Sequence, residues 1–152
     1  MSNGSKNVLL APIEREPEAH QRFAGCDACQ EMLKPTLEYY RKVGFASPWI
    51  GYFAFGNGQW VGTGAFKGAP QQGKVEIAYS TFPKHRHRGW GRAICAALLQ
   101  IALQAKPIPA ICARTRPELN FSTRILEANG FHWVGWVNDP EDGEVWEWIY
   151  GV

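Results

Sequence analysis

The stretch that most constrains the fold is residues 76–94, where a strand pattern changes into a helix pattern across a basic turn. Residues 77–81 are mostly strand formers, and Pro83 ends the strand because proline cannot donate a hydrogen bond to a β-ladder. From Trp90 onward the apolar side chains recur at helical spacing: Trp90, Ile94, Ala97, Leu98 and Ile101. The turn between them reads Arg86-x-x-Gly89-x-Gly91, whose glycines allow the backbone to approach a ligand closely.

The charges around this turn indicate an anionic ligand. Lys84, Arg86, Arg88 and Arg92 are cationic, and no Asp or Glu occurs from 77 to 117. The free N–H groups and the dipole of a helix start favour an anion at the same place. The alternative is an ordinary strand-to-helix turn with a solvated basic edge.

The class of phosphate ligand follows from what the turn lacks. A dinucleotide fingerprint would need a third glycine where Ile94 stands, and an acidic residue about twenty positions further on. A Walker loop would need Gly-Lys-Ser/Thr. Neither pattern is present. Coenzyme A, whose phosphates need no magnesium carboxylate, fits this turn.

Two motifs occur in order within residues 49–131. The first is Arg86-x-x-Gly89-x-Gly91, and the second is Asn120-Phe-Ser122-Thr-Arg124-Ile-Leu-Glu127-Ala-Asn-Gly130-Phe131. The first resembles the acetyl-CoA signature (Arg/Gln-x-x-Gly-x-Gly/Ala) of the GNAT superfamily of N-acetyltransferases. The second is similar to the Asn-x-x-Ser…Leu-Glu-x-x-Gly-Phe segment of the same superfamily, closest to its ribosomal-protein N-terminal acetyltransferase branch.

This resemblance implies a mixed α+β fold: a mostly antiparallel sheet of about six or seven strands with helices on both faces. The implied activity is transfer of an acetyl group from acetyl-CoA, as cosubstrate and without a metal, to a primary amine. The amine would belong to a small molecule or to a protein or peptide N-terminus, and would attack directly in a ternary complex. The alternative is a non-catalytic acyl-CoA-binding module, which would bind coenzyme without turnover. A nucleic-acid-binding domain is disfavoured because basic and aromatic residues do not line a whole face.

The resemblance also implies roles for particular residues. Backbone groups of the strand would hold the pantetheine and the acetyl carbonyl, the turn would take the pyrophosphate, and Asn120 would face the pantetheine arm. These coenzyme positions are Tyr79, Ser80, Thr81, Arg86, His87, Arg88, Gly89, Trp90, Gly91, Arg92 and Asn120. Ser122 would lie near the sulfur. Many members place a Tyr where this chain has Glu127, so the acid that protonates the thiolate stays open among Ser122, another tyrosine and water.

Glu76 is the candidate base that takes the amine proton, directly or through water. It is the only acidic residue between Gly62 and Pro117 and stands on the strand that enters the site. The alternative is a strand Glu that faces solvent.

Composition sets the remaining bounds. A chain of 152 residues with 45% hydrophobic and 20% charged residues suits one globular domain, 1–152. No apolar run reaches membrane length and the polar start 1–7 is unlike a signal peptide, so a cytoplasmic protein is expected. A homodimer is left open.

Five acidic residues lie between Asp139 and Glu147. They are either a solvated loop or a negative field that attracts a cationic amine to the acceptor mouth.

The pattern along the chain predicts the remaining elements. Strands are expected at residues 8–13, 49–55, 60–66, 74–81, 110–115, 131–137 and 145–150, with a hairpin at Gly56-Asn57-Gly58. Residues 29–43 are predicted to be one kinked or two short helices because Pro35 interrupts them, and Tyr39 and Tyr40 are candidates for substrate contact. A third helix is capped by Asn120, ends at Gly130 and is expected to bury Phe121, Ile125 and Leu126. The tryptophans of the last hairpin are interpreted as packing residues.

Four cysteines occur, and Cys26-x-x-Cys29 has the spacing of a redox or zinc motif. No strand pattern precedes it, and two further zinc ligands are not evident. The thiols are therefore interpreted as buried or incidental. His85 and His87 have no neighbouring carboxylate, so no metal site is predicted.

Overall fold

The computed structural model describes residues 6–151; residues 1–5 of the polar start and residue 152 lie outside the described part. The described strands are β1 (Leu9–Pro12), β2 (Gly51–Gly56), β3 (Gln59–Phe66), β4 (Lys74–Thr81), β5 (Ala110–Thr115), β6 (Phe131–Asp139) and β7 (Gly143–Tyr150). The α-helices are α1 (Asp27–Val43), α2 (Trp90–Leu103) and α3 (Phe121–Ala128). Short 3₁₀ turns span Pro17–Phe23 and Pro83–His85.

The strands form one mixed sheet in the order β1-β2-β3-β4-β5-β7-β6. All neighbouring pairs are antiparallel except β4 and β5, which run parallel. A parallel pair needs a crossover connection, and α2 supplies it. The predicted mixed sheet is thereby confirmed, including the adjacency of 76–81 and 110–115.

Two apolar clusters cover the two faces of the sheet. The larger contains the buried side of α2, with Ile94 and Leu98 packed near Ile77 of β4 and Ile111 of β5. The smaller contains Ala11, Ile13, Phe23, Cys29, Phe53 and Phe82 and anchors the start of α1. Since neighbouring residues of a strand point to opposite faces, β2 contributes Phe53 to one cluster and Tyr52 and Ala54 to the other. Helices therefore lie on both faces, as predicted.

Local signals for turns and helix ends predicted several element bounds correctly. β4 and β5 begin and end at the predicted residues. The β2–β3 turn has positive φ at both Asn57 (52°) and Gly58 (77°), which is the conformation that a two-residue hairpin prefers. Gly130 has φ 88° after α3, as expected for a left-handed helix end.

Two expectations about the helices need correction. Residues 27–43 form one helix, α1, and not two short ones, because the buried residues Cys29 and Tyr40 anchor it on both sides of Pro35. The expected burial of Phe121 is wrong: it is 59% exposed, and Thr123 and Leu126 are the buried residues of α3. The tryptophans of the last hairpin do pack, since Trp148 is buried and the half-exposed Trp133 and Trp136 of the edge strand β6 each form an edge-to-face contact with Trp146.

Within residues 6–151, no helix combines the length and apolar character needed to cross a membrane.

Candidate active site

The candidate site lies where β4 and β5 separate. Their parallel ladder runs from Lys74–Ala110 to Ile77–Ala113 and then stops, although both strands continue. A cavity of about 960 Å³ opens at this point. Because strand residues alternate between faces, side chains from both sides of the sheet line it. The lining residues are Lys67, Ile77, Ala78, Tyr79, Arg86, Ala113, Arg114, Thr115, Arg116, Pro117, Glu118, Asn120, Ser122, Leu126, Asp142, Glu144 and Val145.

The basic turn leads from β4 to a helix start without a side-chain cap. Gly89, the N-cap of α2, has φ 87°, a left-handed conformation that favours glycine. No side chain caps α2, and its first turn contains no acidic residue. In the described part of the chain, Lys84, Arg86, Arg88 and Arg92 form no ion pair with a carboxylate. Free N–H groups and unpaired cations together make this turn suited to an anion.

Trp90 and Gly91 both have packing roles. Trp90 is only 6% exposed and belongs to the larger core cluster, as its place on the apolar face of the helix predicts. A Cβ at Gly91 would lie 2.7 Å from Cδ1 of Ile125, so glycine here lets α2 approach α3. His87 adopts φ 64° and its ring packs 4.6 Å from that of Phe121, which connects the turn to α3.

Asn120 and Ser122 line the cavity on the α3 side. The Asn120 side-chain oxygen accepts a hydrogen bond from the Thr123 N–H at 3.1 Å, so capping occupies this oxygen and leaves its amide NH₂ toward Glu118 at 3.4 Å. The Tyr79 hydroxyl donates to the Ser122 carbonyl at 3.0 Å, and burial raises the pKa of Tyr79 well above its ordinary value. Glu127 is exposed and is not part of the lining.

The remaining predicted coenzyme positions lie along β4 and the turn. Thr81 is half-buried, with its carbonyl 3.4 Å from Arg86 Nε, and Ser80 is exposed. Among the predicted site residues, only Tyr79, Arg86, Asn120 and Ser122 line the cavity itself.

A network of ion pairs lies on the other side of the cavity, centred on Arg114. Arg114 contacts Asp139 at 3.1 Å, Glu147 at 3.3 Å and Glu76 at 3.9 Å. Lys74 pairs with Glu147 at 3.4 Å, and Lys67 pairs with Glu76 at 3.3 Å. The network thus contains three cations and three carboxylates and is formally neutral.

Asp139 also organises the β6–β7 turn. Its Oδ1 accepts hydrogen bonds from the backbone N–H of Glu141 at 2.9 Å and of Asp142 at 3.1 Å. The Glu141 N–H and the Arg114 guanidinium hold the pKa of Asp139 below its ordinary value, against the opposing effect of burial. The carboxylate is therefore a structural part of the turn.

Glu76, the candidate base, is held within this network. Its side chain is 17% exposed and contacts Lys67 and Arg114, both of which line the cavity, although Glu76 itself does not. Lys67 and Arg114 are not among the site residues predicted from the sequence. Strand alternation with the parallel register Glu76–Cys112 could have placed Arg114 on the same face as Glu76.

The expectation of five free acids on the last hairpin needs correction. Asp139 and Glu147 are buried and paired, and Glu141 pairs with Lys42 at 3.7 Å. Only Asp142 and Glu144 of this group line the cavity. The hairpin therefore contributes two carboxylates, not five, to the cavity lining.

The two tyrosines of α1 differ in their surroundings. Tyr40 is structural, since its hydroxyl donates to the Ile13 carbonyl and accepts from the Gly51 N–H, both at 2.9 Å. Burial raises the pKa of Tyr39; the charge of Lys67 opposes this effect, and those of Glu141 and Glu76 add to it. Tyr39 is therefore close enough to sense the charges of Lys67 and Glu76, whereas the Tyr40 hydroxyl is used in backbone hydrogen bonds.

The comparisons with known proteins agree with this geometry. The model of the acetyltransferase (GNAT) domain family matches residues 9–132. No protein in the curated set matches the chain. The ribosomal alpha-N-protein acetyltransferase RimL, solved with coenzyme A, has a TM-score of 0.68 and 14% identity, covering 96% of this chain and 94% of its own.

Two further solved structures are similar. A spermidine N-acetyltransferase SpeG chimera from Vibrio cholerae and hSSAT has a TM-score of 0.70 and 14% identity over 95% of both chains. A putative streptothricin acetyltransferase from Bacillus anthracis, in complex with acetyl coenzyme A, has a TM-score of 0.58 and 20% identity, covering 74% of this chain and 68% of its own.

Proposed function

The chain belongs to the GNAT family of acetyltransferases and is an acetyl-CoA-dependent N-acetyltransferase, and we propose that its acceptor is a cationic primary amine that enters from the Asp142–Glu144 side of the cavity. The observation that carries this proposal is the cavity between β4 and β5, which has Arg86 on its rim and Asp142 and Glu144 among its lining. The acetyl donor and the acceptor would approach from differently charged parts of one opening.

On the donor side, the turn from Arg86 to Arg92 would hold the pyrophosphate through backbone N–H groups and cationic side chains. The backbone of Tyr79, Ser80 and Thr81 would hold pantetheine and the acetyl carbonyl, because β4 has no ladder partner on the β5 side there. The exposed, unpaired cations of the turn support this placement.

In the chemical step, the neutral amine attacks the thioester carbon, its extra proton leaves, and coenzyme A departs as thiolate. We assign the proton transfer to Glu76 through a water molecule, since its carboxylate touches two residues of the lining. Ser122, which lines the cavity, would lie near the sulfur. Tyr79 acts as a neutral hydroxyl that ties β4 to α3, because burial raises its pKa.

On the acceptor side, Asp142 and Glu144 are exposed acids without an ion-pair partner in the described residues. Such charges raise the encounter rate of a cation and lose this effect as salt screens them. Polyamines, aminoglycosides and peptide N-termini have the required charge. The homologues named above include a spermidine and a protein N-terminal acetyltransferase.

The test is a screen of amines and N-terminal peptides with acetyl-CoA, monitoring free thiol, followed by kinetics of the best acceptor. Asp142→Asn with Glu144→Gln should lower kcat/KM, flatten its dependence on ionic strength and leave kcat nearly unchanged. Glu141→Gln is the matched control, because Glu141 lies on the same turn, pairs with Lys42 and is outside the lining.

Two results would contradict this proposal. Unchanged kcat/KM and salt dependence in the double variant would remove the acidic residues from substrate choice. Coenzyme binding without thiol release with any amine would favour the acyl-CoA-binding module instead.

A further inference from the structure

The Cys26-x-x-Cys29 pair opens α1 and has no role in the proposed acetyl transfer. Cys26 is the N-cap of α1, and its sulfur accepts a hydrogen bond from the backbone N–H of Cys29 at 3.2 Å. No strand pattern precedes this motif in the sequence, so it lacks the strand that comes before a thioredoxin-like Cys-x-x-Cys pair. A 3₁₀ turn, Pro17–Phe23, precedes α1, so the helix start is built without a strand.

The two sulfurs differ sharply in accessibility. Cys29 is fully buried in the smaller core cluster, whereas Cys26 is half-buried and lines a cavity of about 590 Å³. Asp27, Glu31, Lys84 and His85 also line this cavity. Of the two cysteines, only Cys26 borders this cavity, and Cys29 lies behind it in the core.

We propose that Cys26 and Cys29 form a redox-active dithiol that reacts with disulfides of small thiols. The Cys26 sulfur lies 3.2 Å from the Cys29 backbone nitrogen, and the two thiols are themselves within hydrogen-bond contact. The start of α1 thus places the two sulfurs side by side. The Cys29 N–H holds the Cys26 sulfur at the helix start, beside Cys29.

The reaction is a balanced thiol–disulfide exchange. The Cys26 thiolate attacks one sulfur of the small disulfide, forms a mixed disulfide and releases one small thiolate. Cys29 then loses its proton to water and attacks the Cys26 sulfur, which releases the second small thiolate. The two cysteines are oxidised to one disulfide, and the small disulfide is reduced to two thiols.

The surroundings assign the order of attack. Burial, together with the adjacent Cys26 sulfur, raises the pKa of the Cys29 thiol, so Cys29 is protonated at rest. Cys26 is accessible and is the first to react. Lys84 gives the cavity a cation for the carboxylates of glutathione disulfide, and His85 lies beside it, while Asp27 and Glu31 lie on the helix side. Cys95 and Cys112 are buried, and burial raises their pKa values to about 12 and about 11, so they are internal controls.

The experiment treats the folded full-length chain with glutathione disulfide, blocks remaining thiols and measures peptide masses without reduction. Cleavage after Arg22 and Arg41 gives one peptide, 23–41, that contains only these two cysteines, since Pro35 protects Lys34. The wild-type peptide should lose two hydrogens. Cys29→Ser should retain one glutathionyl group, and Cys26→Ser should remain unmodified.

The reaction should also be faster in the folded chain than in the urea-unfolded chain at the same pH. A wild-type peptide that stays reduced, or that keeps a glutathionyl group, would overturn the proposal, as would faster reaction after unfolding. The wild-type measurement stands even if a serine variant fails to fold. All readouts are masses and rates of thiol exchange, so their outcome is independent of the proposed acetyl transfer.

Discussion

Replacing Arg114 with Met tests whether the ionic network stabilises the fold. The substitution keeps most of the aliphatic stem but leaves Asp139, Glu147 and Glu76 without their shared cation. Removing one partner of a buried pair typically costs about 3–5 kcal/mol. The Arg114 side chain is 24% exposed and the two lysines of the network remain, so we expect about 2–3 kcal/mol after allowing for solvent screening. For a chain of this size, this corresponds to a fall in Tm of about 5–10 °C.

The pH dependence separates charge from packing in the same variant. The pKa of Asp139 is lowered in the folded chain. Its contribution to stability is therefore fully present above the pKa of an unfolded Asp, which is about 4. This contribution is lost as the pH falls through the folded pKa. Because Arg114 is one of the groups that lower this pKa, the difference in Tm between wild type and variant should be largest at pH 7 and should narrow below about pH 4.

The assay is thermal unfolding followed by circular dichroism, at pH 7 and at a pH below about 4, with Arg116→Met as the control. Arg116 is exposed and forms no ion pair in the described residues. A fall in Tm under 2 °C, or one of equal size at both pH values, would refute the electrostatic argument. An equal fall would mean that Arg114 acts through the packing of its stem.

Three further outcomes follow from the site and the core. Gly89→Val should weaken coenzyme binding far more than Lys106→Ala, because valine is strained at φ 87° and the backbone N–H groups of the turn would no longer point at the phosphates. If calorimetry shows that folded Gly89→Val binds coenzyme A as tightly as wild type, the turn is not part of the coenzyme site. Glu76→Gln should lower kcat by roughly 10²–10⁴ and abolish the acidic limb of the pH profile, with coenzyme affinity nearly intact; activity within about twofold of wild type would make Glu76 purely structural. Tyr40→Phe should cost about 1–3 kcal/mol of unfolding free energy, because it leaves the buried Gly51 N–H without its acceptor; denaturant unfolding measures it, and an unchanged midpoint would show that the N–H finds another partner.

The donor half of the site was readable from contiguous sequence. The β4 strand, the basic turn and the start of α2 follow one another along the chain, and each has a local signal: strand formers, Pro83, Gly89 and a helical period. Asn120 was likewise predicted as a cap, and it forms a reciprocal capping box with Thr123. Local chemistry decides such features, so propensity and spacing are sufficient to predict them.

Other features depend on contacts between distant residues and could not be predicted locally. Pro35 disfavours a helix by itself, but packing of Cys29 and Tyr40 on either side keeps α1 continuous. Phe121 has the right type for a core residue, yet it lies at the first turn of α3 beside His87 and not over the sheet. In both cases the tertiary environment outweighed residue type.

The Arg114 network shows why the number of acidic residues on the last hairpin did not predict the charge around the cavity. The six charges of the network come from Lys67 after β3, Lys74 and Glu76 on β4, and one residue each on β5, β6 and β7. Each cation of the network pairs with a carboxylate outside its own strand, so acids that cluster along the chain do not produce a matching field in space. The cavity lining contains three acids without an ion pair among the described residues, Glu118, Asp142 and Glu144, and two such cations, Arg86 and Arg116. Under the proposed function, a single change in this pairing would alter the preferred acceptor, because it would release or add a charge beside the cavity without touching the proposed coenzyme side.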